Sequence, residues 1–213
     1  MQIKICGITN LEQAIAAMQA GADMLGFNFY PPSPRYLVPM VCAQIVQGLR
    51  DQGYSPATVG VFVNLSPDEI QNIMTECQLD MAQLAGDEPP EHLQVLGTKA
   101  FKAVRPATLE EGLRVLQDYG RDQAPALLVD ARVPHSYGGS GHLADWQIAR
   151  ELARRAPILL AGGLTPDNVA SAIQAVQPWG VDVASGVESR PGHKDPAKMA
   201  AFVRAVHLPK SHR

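Results

Sequence analysis

Only three cysteines, Cys6, Cys42 and Cys77, occur in 213 residues, and no two form a CxxC pair. An odd count without close spacing argues against a disulfide framework and against a thiolate zinc site. Charge is scarce too, at 18% Asp, Glu, Lys and Arg, and the net charge is −3 with histidines neutral. At a pI near 6.0 no excess of cations exists to neutralise phosphates, which excludes nucleic acid as the expected partner. A local pocket for a small anion is still allowed. No apolar run approaches the roughly 20 residues of a membrane helix. The opening Met1–Cys6 is too short and polar for the apolar part of a signal peptide. The expectation is a soluble, cytoplasmic chain with reduced thiols.

Three chemical signatures are also missing. The six histidines (His92, His135, His142, His193, His207, His212) show no metal-ligand spacing and none ends a strand-like run, so no metal is expected. No GxGxxG follows a strand, which weighs against a dinucleotide. No serine sits in a nucleophile elbow. No cofactor is expected.

What the sequence does contain is alternation. Short apolar runs occur at Ile3–Cys6, Met24–Phe29, Val59–Val63, Met81–Leu84, Phe101–Val104, Ala126–Val129, Ile158–Leu160 and Val181–Ala184. Between them lie stretches with helical spacing, such as Leu11, Ile15 and Met18 in Asn10–Ala20, or Ile70, Ile73 and Met74 behind a candidate N-cap at Ser66. Leu109, Leu113 and Leu116 mark the fifth helix, and Met199, Phe202 and Val206 mark a last one beginning near Asp195. The fourth unit is the weakest, because Glu91–Leu96 barely makes two turns. Eight strand-then-helix units without a linker predict one (β/α)8 barrel over residues 1–208, with 209–213 a frayed tail. A doubly wound open sheet is the rival, but it seldom runs to eight such compact units.

Barrel chemistry sits where strands end, and that rule selects the residues to weigh. Side chains alternate along a strand, so Lys4 and Cys6 share a face while Ile3 and Ile5 share the other. With the isoleucines packed on helices, Lys4 and Cys6 point into the barrel, where an ammonium would favour a thiolate able to act as a base. The same position suits a buried, inert cysteine, and position alone leaves both readings open. Asp182 also faces inward, on the strand that neighbours Lys4 in a closed barrel, and predicts a buried ion pair with it. Asp130 closes the sixth run. A carboxyl there is either paired structurally or desolvated and able to act as an acid. The loop after it contains Tyr137-Gly138-Gly139-Ser140-Gly141, which reads as a flexible lid or as a plain surface loop.

Arg35 lies in the proline-stiffened Tyr30-Pro31-Pro32-Ser33-Pro34-Arg35-Tyr36, which fits an anchor for a carboxylate, whereas a solvated arginine would need no such loop. The seventh and eighth strands run into Gly162-Gly163 and Ser185-Gly186. Two small-residue loops in those places are where barrel enzymes often hold a phosphate.

In order along the chain, Lys4-Ile5-Cys6-Gly7-Ile8-Thr9, Ser33-Pro34-Arg35, Gly60-Val61-Phe62, Gln83-Leu84, Gly86-Asp87-Glu88, Lys102-Ala103-Val104-Arg105 and Gly138-Gly139-Ser140-Gly141 form one set of motifs. Leu160-Ala161-Gly162-Gly163-Leu164, Asn168-Val169, Gly180–Glu188, Pro191-Gly192 and Lys194-Asp195 complete it. The set resembles the phosphoribosylanthranilate isomerases of tryptophan biosynthesis over nearly the whole length. The resemblance implies an Amadori rearrangement of a phosphoribosylated anthranilate to the corresponding ketose, without cofactor or metal. It implies Cys6 as general base, Asp130 as general acid, a small phosphorylated substrate, and a monomer or homodimer. Gln83 and the Lys4–Asp182 pair take supporting places. One departure is plain: the family's Gln-Leu-His-Gly reads Gln83-Leu84-Ala85-Gly86. Two other readings stay in view: a related phosphosugar isomerase barrel, although such enzymes resemble a two-aspartate pattern where the first strand here ends in Cys6, and a catalytically silent phosphosugar-binding barrel, which Ala85 leaves open.

Overall fold

The computed structural model describes residues 1–130 and 142–207, with side chains resumed from residue 146. The loop 131–141, with the glycine-rich lid stretch, and the tail from 208 lie outside the described residues. Eight strands close into a parallel barrel in sequence order. They are β1 (Gln2–Cys6), β2 (Met24–Asn28), β3 (Ala57–Phe62), β4 (Met81–Leu84), β5 (Ala100–Val104), β6 (Leu127–Asp130), β7 (Ile158–Ala161) and β8 (Gly180–Val183). The helices following them are α1 (Leu11–Ala20), α2 (Pro39–Asp51), α3 (Pro67–Glu76), α4 (Pro90–Leu96), α5 (Leu109–Tyr119), α6 (His142–Ala153), α7 (Val169–Val176) and α8 (Pro196–Val206).

Two apolar layers hold the barrel. Ile3 and Ile5, with Leu25, Phe27, Leu127, Leu160 and Val181, turn outward against the helices. Met24, Val59, Phe101, Leu128, Leu159 and Ala161 fill the interior. The period-two alternation read from Ile3–Cys6 therefore sorts side chains as expected, and Lys4 and Cys6 go inward. Local signals place several helices. Ser66 accepts from the Glu69 amide while the Glu69 carboxylate accepts from Ser66, a reciprocal cap at the start of α3. Asp195 caps α8 through the amides of Ala197 and Lys198.

The fold departs from the sequence reading in small ways. Asp130 ends β6 as expected, but β8 starts at Gly180 and ends at Val183, with Ala184 past its end. Alternation alone does not mark the last ladder hydrogen bond. A short antiparallel hairpin, β9 (Glu188–Arg190) with β10 (His193–Lys194), was not foreseen between β8 and α8. Its polar residues carry no strand periodicity.

The weak fourth unit is held by charge where its apolar content is thin. Glu88, buried between β4 and α4, accepts from the amides of Asn64 and Gly86 and from Lys102 Nζ at 2.6 Å. Desolvation alone would raise the Glu88 carboxyl, but these donors outweigh it and hold it below the usual carboxylate range. A group lowered in the folded state stabilises fully above its unfolded value, about 4.3, and loses that contribution as pH falls through the native value. Glu88→Gln should thus lower stability at neutral pH by about 2 kcal/mol or more, since Lys102 is left buried without its counter-charge. It should also flatten the acid limb of stability against pH, measured by denaturant unfolding between pH 3 and 7. An acid limb with the same slope as the parent protein would remove Glu88 as its source.

Candidate active site

At the C-terminal end of the barrel, β1 brings up Lys4 and Cys6. The strand register sets Lys4 opposite Asp182 on β8 and Met24 on β2. Lys4 Nζ donates to Asp182 Oδ1 at 2.8 Å, and the lysine has no exposed surface. Burial alone would lower the Lys4 ammonium, but the pull of Asp182 and of Cys6 overcomes it and leaves the group raised. The expected ion pair is made, and Cys6 Sγ shares the same ammonium.

Gly26 on β2 is what lets them meet. A methyl group there would lie 2.7 Å from Cys6 Sγ and 3.1 Å from Lys4 Nζ. Sequence reading passed over Gly26, since a glycine inside a strand signals close backbone approach without saying what approaches.

Across the mouth, Asp130 ends β6. Its Oδ2 accepts from Arg105 NH2 at 2.6 Å and from Nε at 3.1 Å. Arg105 stands just past the end of β5 with 61% of its side chain exposed. It was also missed, although its place at a strand end, like that of Asp130, is the signal that finds it. A cavity of about 650 Å³ opens here, a volume suited to one small ligand. Asp130, Arg105, Gln83, Ala85, Gly162, Gly163, Ser185 and Asp182 line it. Gln83 is 6% exposed, and its Oε1 has no hydrogen-bond partner among the described residues. Cys6 at the end of β1, Arg35 in the loop after β2 and Gly186 in the loop after β8 are not among its lining residues.

The two small-residue loops are built around backbone. Gly162 and Gly163 adopt φ of 102° and 68°, and a side chain on Gly163 would meet nothing, so its backbone faces open space. Gly186 is required for a different reason: a Cβ there would lie 1.9 Å from the Leu164 carbonyl, so the loops after β7 and β8 touch. Ser185–Val187 forms one turn of 3₁₀ helix beside them.

Arg35 corrects a detail of the sequence reading. Its guanidinium is not waiting empty: Nε donates to Glu188 Oε1 at 2.8 Å and NH2 to Oε2 at 2.7 Å. A guanidinium presents five N–H donors, so a second edge made by NH1 and the other NH2 hydrogen is left. No group of three or more His, Cys, Asp or Glu among the described residues is arranged to hold a metal ion, and no helix among them is long and apolar enough to cross a membrane.

A model of the N-(5'-phosphoribosyl)anthranilate (PRA) isomerase family matches residues 3–205. The chain belongs to the PRA isomerase family. A Geobacter sulfurreducens N-(5'-phosphoribosyl)anthranilate isomerase is 44% identical, the match covering 96% of this chain and 97% of that one. Among solved structures, monomers generated from the dimeric isomerase of Thermotoga maritima superpose with a TM-score of 0.81 at 34% identity, covering 97% and 98%. A PRA isomerase in complex with reduced 1-(o-carboxyphenylamino)-1-deoxyribulose 5-phosphate gives 0.80, at 34% identity and the same coverage. That ligand is phosphorylated and carries a carboxylate.

As a PRA isomerase, the chain makes a demand on Gly26 that an ordinary strand would not. Gly26→Ala should displace the Cys6 sulfur or the Lys4 ammonium by a few tenths of an ångström or more. A misplacement approaching 1 Å can cost about 10²-fold in rate, so kcat should fall at least tenfold while the barrel still unfolds cooperatively. Steady-state kinetics with circular dichroism melting checks it, and unchanged kcat would show that the thiol tolerates the methyl.

Proposed function

We propose that the chain isomerises N-(5'-phosphoribosyl)anthranilate to 1-(2-carboxyphenylamino)-1-deoxyribulose 5-phosphate, with Cys6 as general base and Asp130 as general acid. The observation that supports the assignment is an inward thiol held against the Lys4 ammonium on β1, with Asp130 and Asp182, the partner of Lys4, both lining one ligand-sized cavity. Asp130 protonates the furanose ring oxygen, and the ring opens as the nitrogen lone pair forms an iminium. The cationic nitrogen acidifies the hydrogen on C2. Cys6 removes that proton, the electrons return to nitrogen, and the enolamine tautomerises to the ketone. The substrate's nitrogen is the electron sink.

The remaining groups bind and orient. Arg35 takes the anthranilate carboxylate on its second N–H edge. Backbone amides around Gly162, Gly163, Ser185 and Gly186 receive the phosphate, whose oxygens need donors without Cβ interference. Lys4 stabilises negative charge on the Cys6 sulfur, and Asp182 keeps Lys4 in place. Gln83 offers a buried amide to a substrate hydroxyl. A monomer or homodimer is consistent with a fold in which every barrel strand is paired within one chain. The cytoplasm is the expected compartment.

Cys6→Ser keeps the size but replaces the thiol with a hydroxyl that is not ionised near neutrality. General base catalysis contributes about 10²–10⁴-fold, so kcat should drop by that order while product affinity stays nearly intact. Asp130→Asn should do the same without loss of fold. Anthranilate fluorescence follows both, and turnover within a few-fold of the parent enzyme by either variant would remove that residue from its role.

Ala85→His reports on the family's missing imidazole. Ala85 is exposed at the cavity rim, where water replaces a polar contact at little cost. We expect kcat/KM to change less than tenfold. A tenfold or larger gain, about 1.4 kcal/mol of transition-state stabilisation, would mean that the methyl group is a deficit.

A further inference from the structure

Five charged side chains crowd the β1–β8 side of the site, and two of them, Glu188 and Lys194, have no place in the scheme above. Glu188 ends the loop after β8 and opens the β9–β10 hairpin. Its side chain is 4% exposed. Lys194 closes the hairpin with its side chain wholly buried, and Nζ donates to Glu188 Oε1 at 2.8 Å and to the Ala184 carbonyl at 3.0 Å. Lys198 Nζ donates to the Glu188 carbonyl at 2.7 Å. Both carboxylate oxygens of Glu188 also accept from Arg35. Two cations share one buried carboxylate, and of the two only Arg35 is partly exposed to receive a further anion.

The rest of Arg35 is pinned as well. Its Cδ passes so close to Gly7 that a Cβ there would lie 2.4 Å away. The Gly192 carbonyl in the hairpin accepts from Thr9 and Gln13, which ties the hairpin to the loop after β1. A bidentate pair fixes a planar guanidinium in rotation as well as in position. With its Nε side taken by Glu188, the NH1 edge is the one that a ligand can occupy.

We propose that Glu188 is the positioning residue for substrate recognition, and that with Lys194 as its counter-ion it turns Arg35 so that the NH1 edge meets the substrate's carboxylate. This deepens the reading of Arg35 given above and rests on it. Glu188 acts through Arg35 and touches no reacting atom.

The experiment compares KM for N-(5'-phosphoribosyl)anthranilate with KM for N-(5'-phosphoribosyl)aniline, which lacks the carboxylate. Glu188→Gln alone leaves Lys194 buried beside a neutral amide, so the double variant Glu188→Gln/Lys194→Gln serves beside it and keeps the local charge balanced against Arg35. Both should lose most of the preference for the anthranilate substrate, about tenfold, through KM more than through kcat, while KM for the aniline substrate moves little. In an Arg35→Ala background the Glu188 and Lys194 substitutions should have no further effect on the ratio, because residues acting through one another are not additive.

A change of equal size on both substrates, or a further loss in the Arg35→Ala background, would mean a merely structural tie and overturn the proposal. If Arg35→Ala lowers the ratio and the double variant does not, Glu188 is overturned while the carboxylate assignment stands. If Arg35→Ala itself leaves the ratio unchanged, the carboxylate assignment fails and takes this proposal with it.

Discussion

The Lys4–Asp182 ion pair is the constraint around which the rest of the site is arranged. Its partners lie 178 residues apart in the chain and meet only when β8 closes onto β1. Each charge by itself would be costly in the barrel interior, and removing one partner of such a pair typically costs about 3–5 kcal/mol. The pair therefore favours the closed register over a sheet left open at that seam. It also fixes Nζ, and through Nζ the setting of the Cys6 sulfur. Gly26 then follows as a consequence, since no side chain fits on β2 where ammonium and thiol already stand. Closure of the fold and placement of the Cys6 sulfur are one event.

Much of this was legible because strand alternation is a strict period of two. Once Ile3 and Ile5 are assigned to the helix side, Lys4 and Cys6 have no other face to take, and the same logic sends Asp182 inward. Order along the chain then makes β1 and β8 neighbours, so the pair can be read before any coordinate is seen. Eight runs separated by helical spacing gave the barrel in the same way. What stayed hidden depends on relations that no period encodes. Glu188 and Lys194 belong to a polar hairpin whose meaning lies in what it touches, and Gly26 matters because of a volume that two other residues occupy. Arg35 was seen as a fork for a carboxylate, which it is, but the first carboxylate on it comes from the protein.

Charge is used here in a paired form throughout. Lys4 has Asp182, Lys102 has Glu88, and Arg35 and Lys194 share Glu188. Glu88 and Glu188 are both held below the usual carboxylate range, their donors outweighing the burial that opposes them. The pairs are not interchangeable in purpose. The Glu88 pair secures the β4 loop, where apolar content is least. The Glu188 pair leaves one guanidinium edge of Arg35 open, and the Asp182 pair holds Lys4 beside the Cys6 sulfur.

In the proposed roles of Cys6 as base and Asp130 as acid, the described partners Lys4 and Arg105 differ in exposure, and the difference fits those tasks. Lys4 is sealed from solvent, so its hold on Asp182 and Cys6 is not screened and persists through the cycle. Arg105, by contrast, is 61% exposed where it meets Asp130, so water reaches this contact. A group that must give up a proton and take it back has to exchange hydrogen-bond partners at each turnover, and a contact that water can reach suits that exchange. A group that must present a lone pair in one direction gains from a neighbour that does not move. The fold supplies the first condition at the rim of β5 and β6, and the second inside the β1–β8 seam. An acid placed in the seam would be locked to its partner, and a base placed at the rim would lose the ammonium's unscreened field. The three ladder steps between β6 and β1, through β7 and β8, keep those two environments apart.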